Sequence, residues 1–188
     1  MLIRGVRFYF CVTFSQMHVQ PEGIFLALGS NVGPRLRTLR AALSALEEAN
    51  VDVVARSAVY ETPALTLRPG QESSPFLNAV VSVRTTMPPR QLLQLCLQIE
   101  ERAGRTRSVQ QRWGPRTLDI DLLSYGSRTS SGDGLALPHP RLHERRFVLQ
   151  PWADIAEDFL VPHPYEATVQ QLLLACPDTS SLNRVASL

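Results

Sequence analysis

The ten residues from Arg112 to Asp121, RWGPRTLDID, gather two arginines, an indole and two alternating carboxylates into one short stretch. In LDIDLL the apolar and acidic residues alternate with the period of a half-buried strand. Asp119 and Asp121 therefore share one face while Leu118, Ile120 and Leu122 take the other. Two residues of strand rise set the two Asp Cα atoms about 6.6 Å apart, a span over which carboxylate oxygens hold hard cations roughly 3.5–4 Å apart. Such a pair suits magnesium and polyphosphate. The other reading of a bare DxD is the solvated outer face of an edge strand. Against it stand the poor strand propensity of Asp and the repulsion of two like charges, which a cation or an arginine must offset. Arg112 and Arg116 are near enough in sequence to do so. A guanidinium fork also grips phosphate oxygens, and Gly114 with Pro115 makes a rigid turn that delivers Arg116 to the head of the strand.

Other groups have two readings each. Gly29-Ser30-Asn31 is either a phosphate cradle of exposed backbone N–H groups or an ordinary strand-to-helix turn, with the turn favoured on these residues alone. It is not a P-loop, because the GxxxxGK[ST] pattern is absent and all 19 cationic residues are arginine. His139, between two prolines, either holds an imidazole toward phosphate or sits in a surface turn. Arg105 and Arg107 either reach a polyphosphate or solvate a loop, and Trp113 either stacks on a planar ligand or plugs the core.

The elements that must position these groups follow from periodicity. Ile24 to Gly29 is a short apolar strand, and Pro34 opens a helix with Leu36, Leu39, Leu43 and Leu46 on one stripe. Val51 to Glu61 and Phe76 to Thr86 read as strands flanking a Pro-containing loop from Thr62 to Pro75. Pro88 and Pro89 start a second helix whose Leu92, Leu95, Cys96 and Ile99 face the core, which makes Cys96 packing rather than chemistry, and Gly104 ends it. With the Asp119 strand last, the order predicts an α+β fold, a ferredoxin-like βαββαβ sandwich with an additional C-terminal segment. In that segment Gly126 to Gly134 is expected to be a flexible polar loop. PHP, the basic run RLHERRF and a short helix around Ala167 to Ala175 follow it and wrap the core.

At 188 residues with 44% hydrophobic content the chain suits a single domain with a proper core, expected over residues 23–188. Residues 1–22 are expected to be an extension, either disordered or a mis-start with Met17 as the natural first residue, since FYFCVTF lacks the length and cleavage site of a signal peptide. A net charge of +2 is too small to argue for nucleic acid, and the three scattered cysteines indicate neither disulfides nor zinc. The expectation is a cytoplasmic monomer that binds small molecules and neither nucleic acid nor membrane.

Taken together, GSN, YETPAL, FLNAVV, RWGPRTLDIDLL, LPHP and RRFVLQPW resemble the 6-hydroxymethyl-7,8-dihydropterin pyrophosphokinases of folate biosynthesis, in the family's order from Ile24 to Phe159. That family is also ferredoxin-like. The resemblance implies transfer of the β,γ-pyrophosphate of ATP to the pterin hydroxymethyl oxygen, giving AMP and the pterin diphosphate. It implies Asp119 and Asp121 as ligands of two Mg2+ ions, with Arg105 and Arg116 as catalytic arginines. It further implies Arg107, Trp113, Leu122, His139 and Arg145 at the nucleotide, and Thr62, Pro63, Leu65, Phe76, Asn78, Trp113 and Phe147 at the pterin. Phe76 stands where some members have tyrosine, and Ala64 where proline often follows Thr-Pro. The rivals are a magnesium-dependent nucleotidyltransferase, which would release pyrophosphate rather than AMP, and a non-catalytic ferredoxin-like binding module, which would need neither aspartate.

Overall fold

The computed structural model describes residues 23–63, 74–104, 116–132 and 134–188. Leu65, Arg105, Arg107, Arg112 and Trp113, like the expectations for residues 1–22, lie outside them. The chain is α+β. Its strands are β1 (Ile24–Ser30), β2 (Asp52–Arg56), β3 (Ala58–Thr62), β4 (Phe76–Arg84), β5 (Asp119–Tyr125), β6 (Ser130–Gly132), β7 (Leu135–Leu137), β8 (Leu160–Val161), β9 (Ala167–Thr168) and β10 (Asn183–Ser187). Four α-helices are present among the described residues: α1 (Arg35–Glu48), α2 (Pro89–Arg102), α3 (Arg146–Ala156) and α4 (Val169–Ala175).

The main sheet is antiparallel, in the order β10-β3-β4-β1-β5, with β2 also paired to β4. The apolar run from Val51 to Glu61, which reads as one strand, is two. Ser57 interrupts it, donating its N–H to Val80 O (3.0 Å) while its hydroxyl accepts from Val80 N (2.9 Å), and the chain bends there while staying on β4. Central β1 is buried on both sides. Its even-numbered residues Ile24, Leu26 and Leu28 pack with Leu39, Leu43 and Leu46 of α1 and Leu92, Cys96 and Ile99 of α2, as the helical spacing predicts. Burial pushes the Cys96 thiol up to about 12, so it is an inert core group.

The opposite face carries what the sequence reading did not resolve. Phe25 packs on Trp152 of α3 (ring centroids 5.1 Å apart) and on Phe159 (4.9 Å), within a second cluster containing Val148, Leu149 and Val169. The run RLHERRF is therefore the approach and start of a helix. Local sequence argues against it, because Pro151 lies inside α3 and no side chain at Arg145 caps it. Burial of Trp152 and Leu149 overrides both. A second correction concerns Gly126 to Gly134. Instead of a structureless loop, β6 and β7 form a small hairpin, held by Ser130 Oγ donating to Leu135 O (2.9 Å) and by Leu137 entering the core. The last strand, β10, pairs with β3 and returns the C-terminal segment to the sheet edge.

Candidate functional site

Strand β5 places the two carboxylates as its alternation requires. Leu118, Ile120 and Leu122 are in the core against α1 and α2, while Asp119 and Asp121 are half-exposed and line a pocket on the other face. Register fixes their neighbours. Gly29 of β1 lies opposite Asn78 of β4 on one side and Asp119 on the other, and Ala27 opposite Asp121. A Cβ at Gly29 would stand 3.4 Å from Asn78 Oδ1 and 3.8 Å from Asp119 Cβ, so the bare backbone there lets an amide and a carboxylate share the pocket floor.

Each carboxylate has an arginine. Arg116 donates through Nη1 to Asp119, and Arg145 Nη1 donates to Asp121 Oδ2 at 3.0 Å. The like-charge problem read from the sequence is thus offset by one arginine from the turn before β5 and one from the approach to α3. Of the adjacent pair Arg145 and Arg146, it is Arg145 that faces the aspartates. Arg146 instead donates its backbone N–H to Asp178 Oδ2 (3.1 Å).

The GSN turn has a role that its residue types did not reveal. Asn31 is buried, its backbone N–H donates to Arg116 O (3.0 Å), and its Oδ1 accepts from Arg116 N (2.6 Å). This two-bond clasp fixes the main chain that carries Arg116. Its Nδ2 also donates to Ser74 O (3.4 Å). On the core side, the buried carboxylate of Glu100 accepts from Ile120 N at 2.8 Å, holding the main chain between the two aspartates. Both groups were missed in the sequence because each works on a backbone amide far away in the chain.

His139 is drawn beside β5 by its N–H donating to Leu123 O (2.9 Å), and its Nε2 lies 3.8 Å from Asp121 Oδ2. Burial lowers its pKa, against the pull of Asp121 and with the help of Arg145 and Arg141, so the imidazole favours its neutral form. With Nδ1 accepting from Arg141 N (3.2 Å), the ring proton sits on Nε2 toward the carboxylate.

The rest of the lining mixes apolar and polar groups. Thr62, Pro63, Phe76, Asn78 and Phe147 line it together, with Asp178 and Ser180 from the C-terminal segment as members no local signal announced. Asn78 Nδ2 donates to Thr62 Oγ1 (2.9 Å), which aims Oδ1 toward Gly29. The Leu122 side chain faces the core rather than this space. The pocket therefore sets the carboxylate and guanidinium pairs beside two aromatic rings and an amide. Such a shape suits a polyanion and a planar heterocycle side by side.

The donor set fits magnesium. The carboxylates are hard oxygen ligands on one surface, and among the described residues no third His, Cys, Asp or Glu joins them as a ligand cluster. Magnesium is commonly held by one or two carboxylates, with substrate phosphates and water completing the shell.

Comparison with known proteins points the same way. The model of a family described as 7,8-dihydro-6-hydroxymethylpterin-pyrophosphokinase matches residues 25–157. A 2-amino-4-hydroxy-6-hydroxymethyldihydropteridine pyrophosphokinase of Bacillus subtilis is 42% identical over 134 residues, covering 71% of this chain and 77% of the relative. One from Methylorubrum extorquens is 42% identical over 164 residues, covering 86% and 97%. Among solved structures, the crystal structure of an HPPK-DHPS in complex with substrates is similar with a TM-score of 0.62 at 15% identity. The match covers 82% of this chain but only 43% of that longer one, a likeness of fold alone.

Proposed function

The chain belongs to the 7,8-dihydro-6-hydroxymethylpterin-pyrophosphokinase family, and on that premise we propose how its pocket divides the work. The enzyme transfers the pyrophosphoryl group of ATP to the hydroxymethyl group of 6-hydroxymethyl-7,8-dihydropterin in folate biosynthesis, releasing AMP. The observation that carries the division of labour is the pairing of Asp119 with Arg116 and of Asp121 with Arg145, in a pocket that Asn78, Phe76 and Phe147 also line.

At the charged end, Asp119 and Asp121 would hold magnesium, two ions in this reading, and the bound metal would supply neutralisation of the phosphate charge. Arg116 turns its guanidinium from carboxylate to phosphate while Asn31 keeps its main chain still, so the positive charge meets the developing negative charge without reorganising the turn. Arg145 and His139 bind the nucleotide from the other side of Asp121. Leu122 contributes there by its position on β5, and Arg105 and Arg107, from the segment before Arg116, belong to the same phosphate-binding group.

At the apolar end, Phe76 and Phe147 flank the pterin ring, while Asn78 offers both a donor and an acceptor to its polar edge. Thr62 orients that amide and Pro63 lines the pocket beside it; the pterin roles expected of Leu65 and Trp113, which lie outside the described residues, are part of the same proposal. The chain's own groups thus act by binding and alignment, the terms that dominate when phosphoryl-type transfer asks for little covalent help.

The strand order and the two helices on one face support the ferredoxin-like βαββαβ reading, with α3, α4 and β10 as the added C-terminal segment. Residues 23–188 form one pyrophosphokinase domain in this reading. Among the described residues no helix is long and apolar enough to cross a membrane. We place the protein in the cytoplasm as a monomer acting on small molecules, without nucleic acid. Mixing it with magnesium, ATP and the hydroxymethyl pterin tests the reading. AMP formed one-for-one with pterin diphosphate is expected, whereas inorganic pyrophosphate with a nucleotidylated product would overturn it.

A further inference from the structure

The C-terminal segment after α4 does more than cover the sheet edge. Helix α3 begins without a cap of its own, because the residue at its N-cap is Arg145, whose guanidinium has no acceptor to offer the helix N–H groups and donates instead to Asp121. The missing acceptor comes from 32 residues downstream, where Asp178 Oδ2 takes the Arg146 N–H at 3.1 Å. The other oxygen of the same carboxylate accepts from Ser180 N at 2.9 Å, so the group is anchored at both ends. Beyond it, β10 pairs with β3, Asn183 opposite Glu61 and Arg184 opposite Tyr60, which ties the segment to the strand that ends at Thr62. Asp178 and Ser180 face the same pocket as Asp119, Asn78 and Phe147.

What hangs on this cap is the first turn of α3. Arg145 precedes the helix and reaches Asp121, Phe147 is its second residue and lines the pocket, and the Arg145 guanidinium lies 5.8 Å from the Phe147 ring centre. The N–H groups of Val148 and Leu149 both return to Arg145 O (3.0 Å each), so the direction of Arg145 is set by how that turn starts. A carboxylate at this point offsets the helix dipole as well as satisfying a donor.

We propose that Asp178 is a positioning residue for the transfer reaction: by capping α3 at Arg146 it sets the directions of Arg145 toward the nucleotide end and of Phe147 toward the pterin end. The proposal rests on the roles given above to those two residues. It makes the C-terminal segment a third wall of the site, beside β4 and β5.

The experiment compares the parent with Asp178→Ala and Asp178→Asn at a temperature where circular dichroism shows all three folded. Asp178→Ala is expected to raise KM for both ATP and the pterin about five- to tenfold, the size of a lost cap. Asp178→Asn keeps an oxygen for the Arg146 N–H and is expected to restore most of that loss. A merely structural role would lower the melting temperature and leave both KM values in place. KM values within about twofold of the parent in the Ala variant, or an Asn variant no better than Ala, overturn the proposal. Amide hydrogen exchange of residues 145–149 separates this outcome from failure of the functional reading. Were the parent to form no AMP, that reading would fall, while exchange unchanged between parent and Ala variant would overturn the cap and at least tenfold faster exchange would uphold it.

Discussion

Replacing Asn31 by alanine removes the acceptor of the 2.6 Å bond from Arg116 N while leaving the Asn31 backbone N–H on Arg116 O. The group lost is buried, 3% exposed, so water replaces it poorly, and a donor left unsatisfied in such a place costs about 1–3 kcal/mol. For a chain of this size that corresponds to a fall of roughly 2–12 °C in melting temperature. If the same strain is felt where Arg116 meets the transferring phosphates, kcat/KM falls about 5- to 150-fold. Asn31→Asp is the control. It keeps the oxygen that accepts from Arg116 and gives up the amide that donates to Ser74 O, so its kcat/KM is expected to stay well above that of the alanine variant. The assay is AMP release at saturating magnesium, run beside thermal unfolding of each variant. An alanine variant with kcat/KM within twofold of the parent would refute the view that the GSN turn exists to hold Arg116.

Asp121→Ala is expected to fold and to lose about three orders of magnitude or more in turnover, since it removes a cation ligand together with the partner of Arg145; near-normal turnover would sink the two-ion assignment. Chelation of divalent ions by EDTA should stop turnover of the parent, and added magnesium should restore it. Gly29→Val puts methyl groups where even a Cβ already stands 3.4 Å from Asn78 Oδ1, so the pterin KM is expected to rise about 5- to 150-fold, the equivalent of typical overpacking, and an unchanged value would show the floor to be elsewhere. The last expectation concerns acid. Burial by itself raises the Asp178 carboxyl, but hydrogen bonds from the Ser180 side chain and from the backbone N–H groups of Ser180 and Arg146, with the Arg146 charge, outweigh it and hold the group below its ordinary 3.8. A depressed folded value means that this contribution is complete above the ordinary value and disappears as pH falls through the folded one. The melting-temperature gap between the parent and Asp178→Asn should therefore be constant near neutrality and close below pH 3.8; a gap that widens in acid would contradict the sign.

Much of the site was legible where its information is local. The alternation in LDIDLL fixes which side chains of β5 face the core and which face the pocket, because a strand has a side-chain period of two whatever its neighbours are. The leucine stripes of α1 and α2 were readable for the matching reason at a period of 3.6. Helix α3 was not, since its start lacks a local cap and Pro151 contradicts it, and only the apolar bed of Phe25 and Phe159 makes it form. The Gly126 to Gly134 segment looked structureless because its residues are polar, while its order comes from Leu137 entering a core built by distant elements.

The sequence by itself determined the inventory of the charged end, two carboxylates on one strand face with arginines beside them, while the amide and the two aromatic rings were implied only by the family resemblance. Tertiary structure decided the pairings. Arg145 finds Asp121 across 24 residues, Asn31 clasps Arg116 across 85, Glu100 holds Ile120 across 20, and Asp178 caps Arg146 across 32. Residue type states what a group can donate or accept, and strand and helix periods carry that information only a few residues along the chain. Which donor meets which acceptor depends on sheet register and helix docking, which are set by burial of the whole core at once.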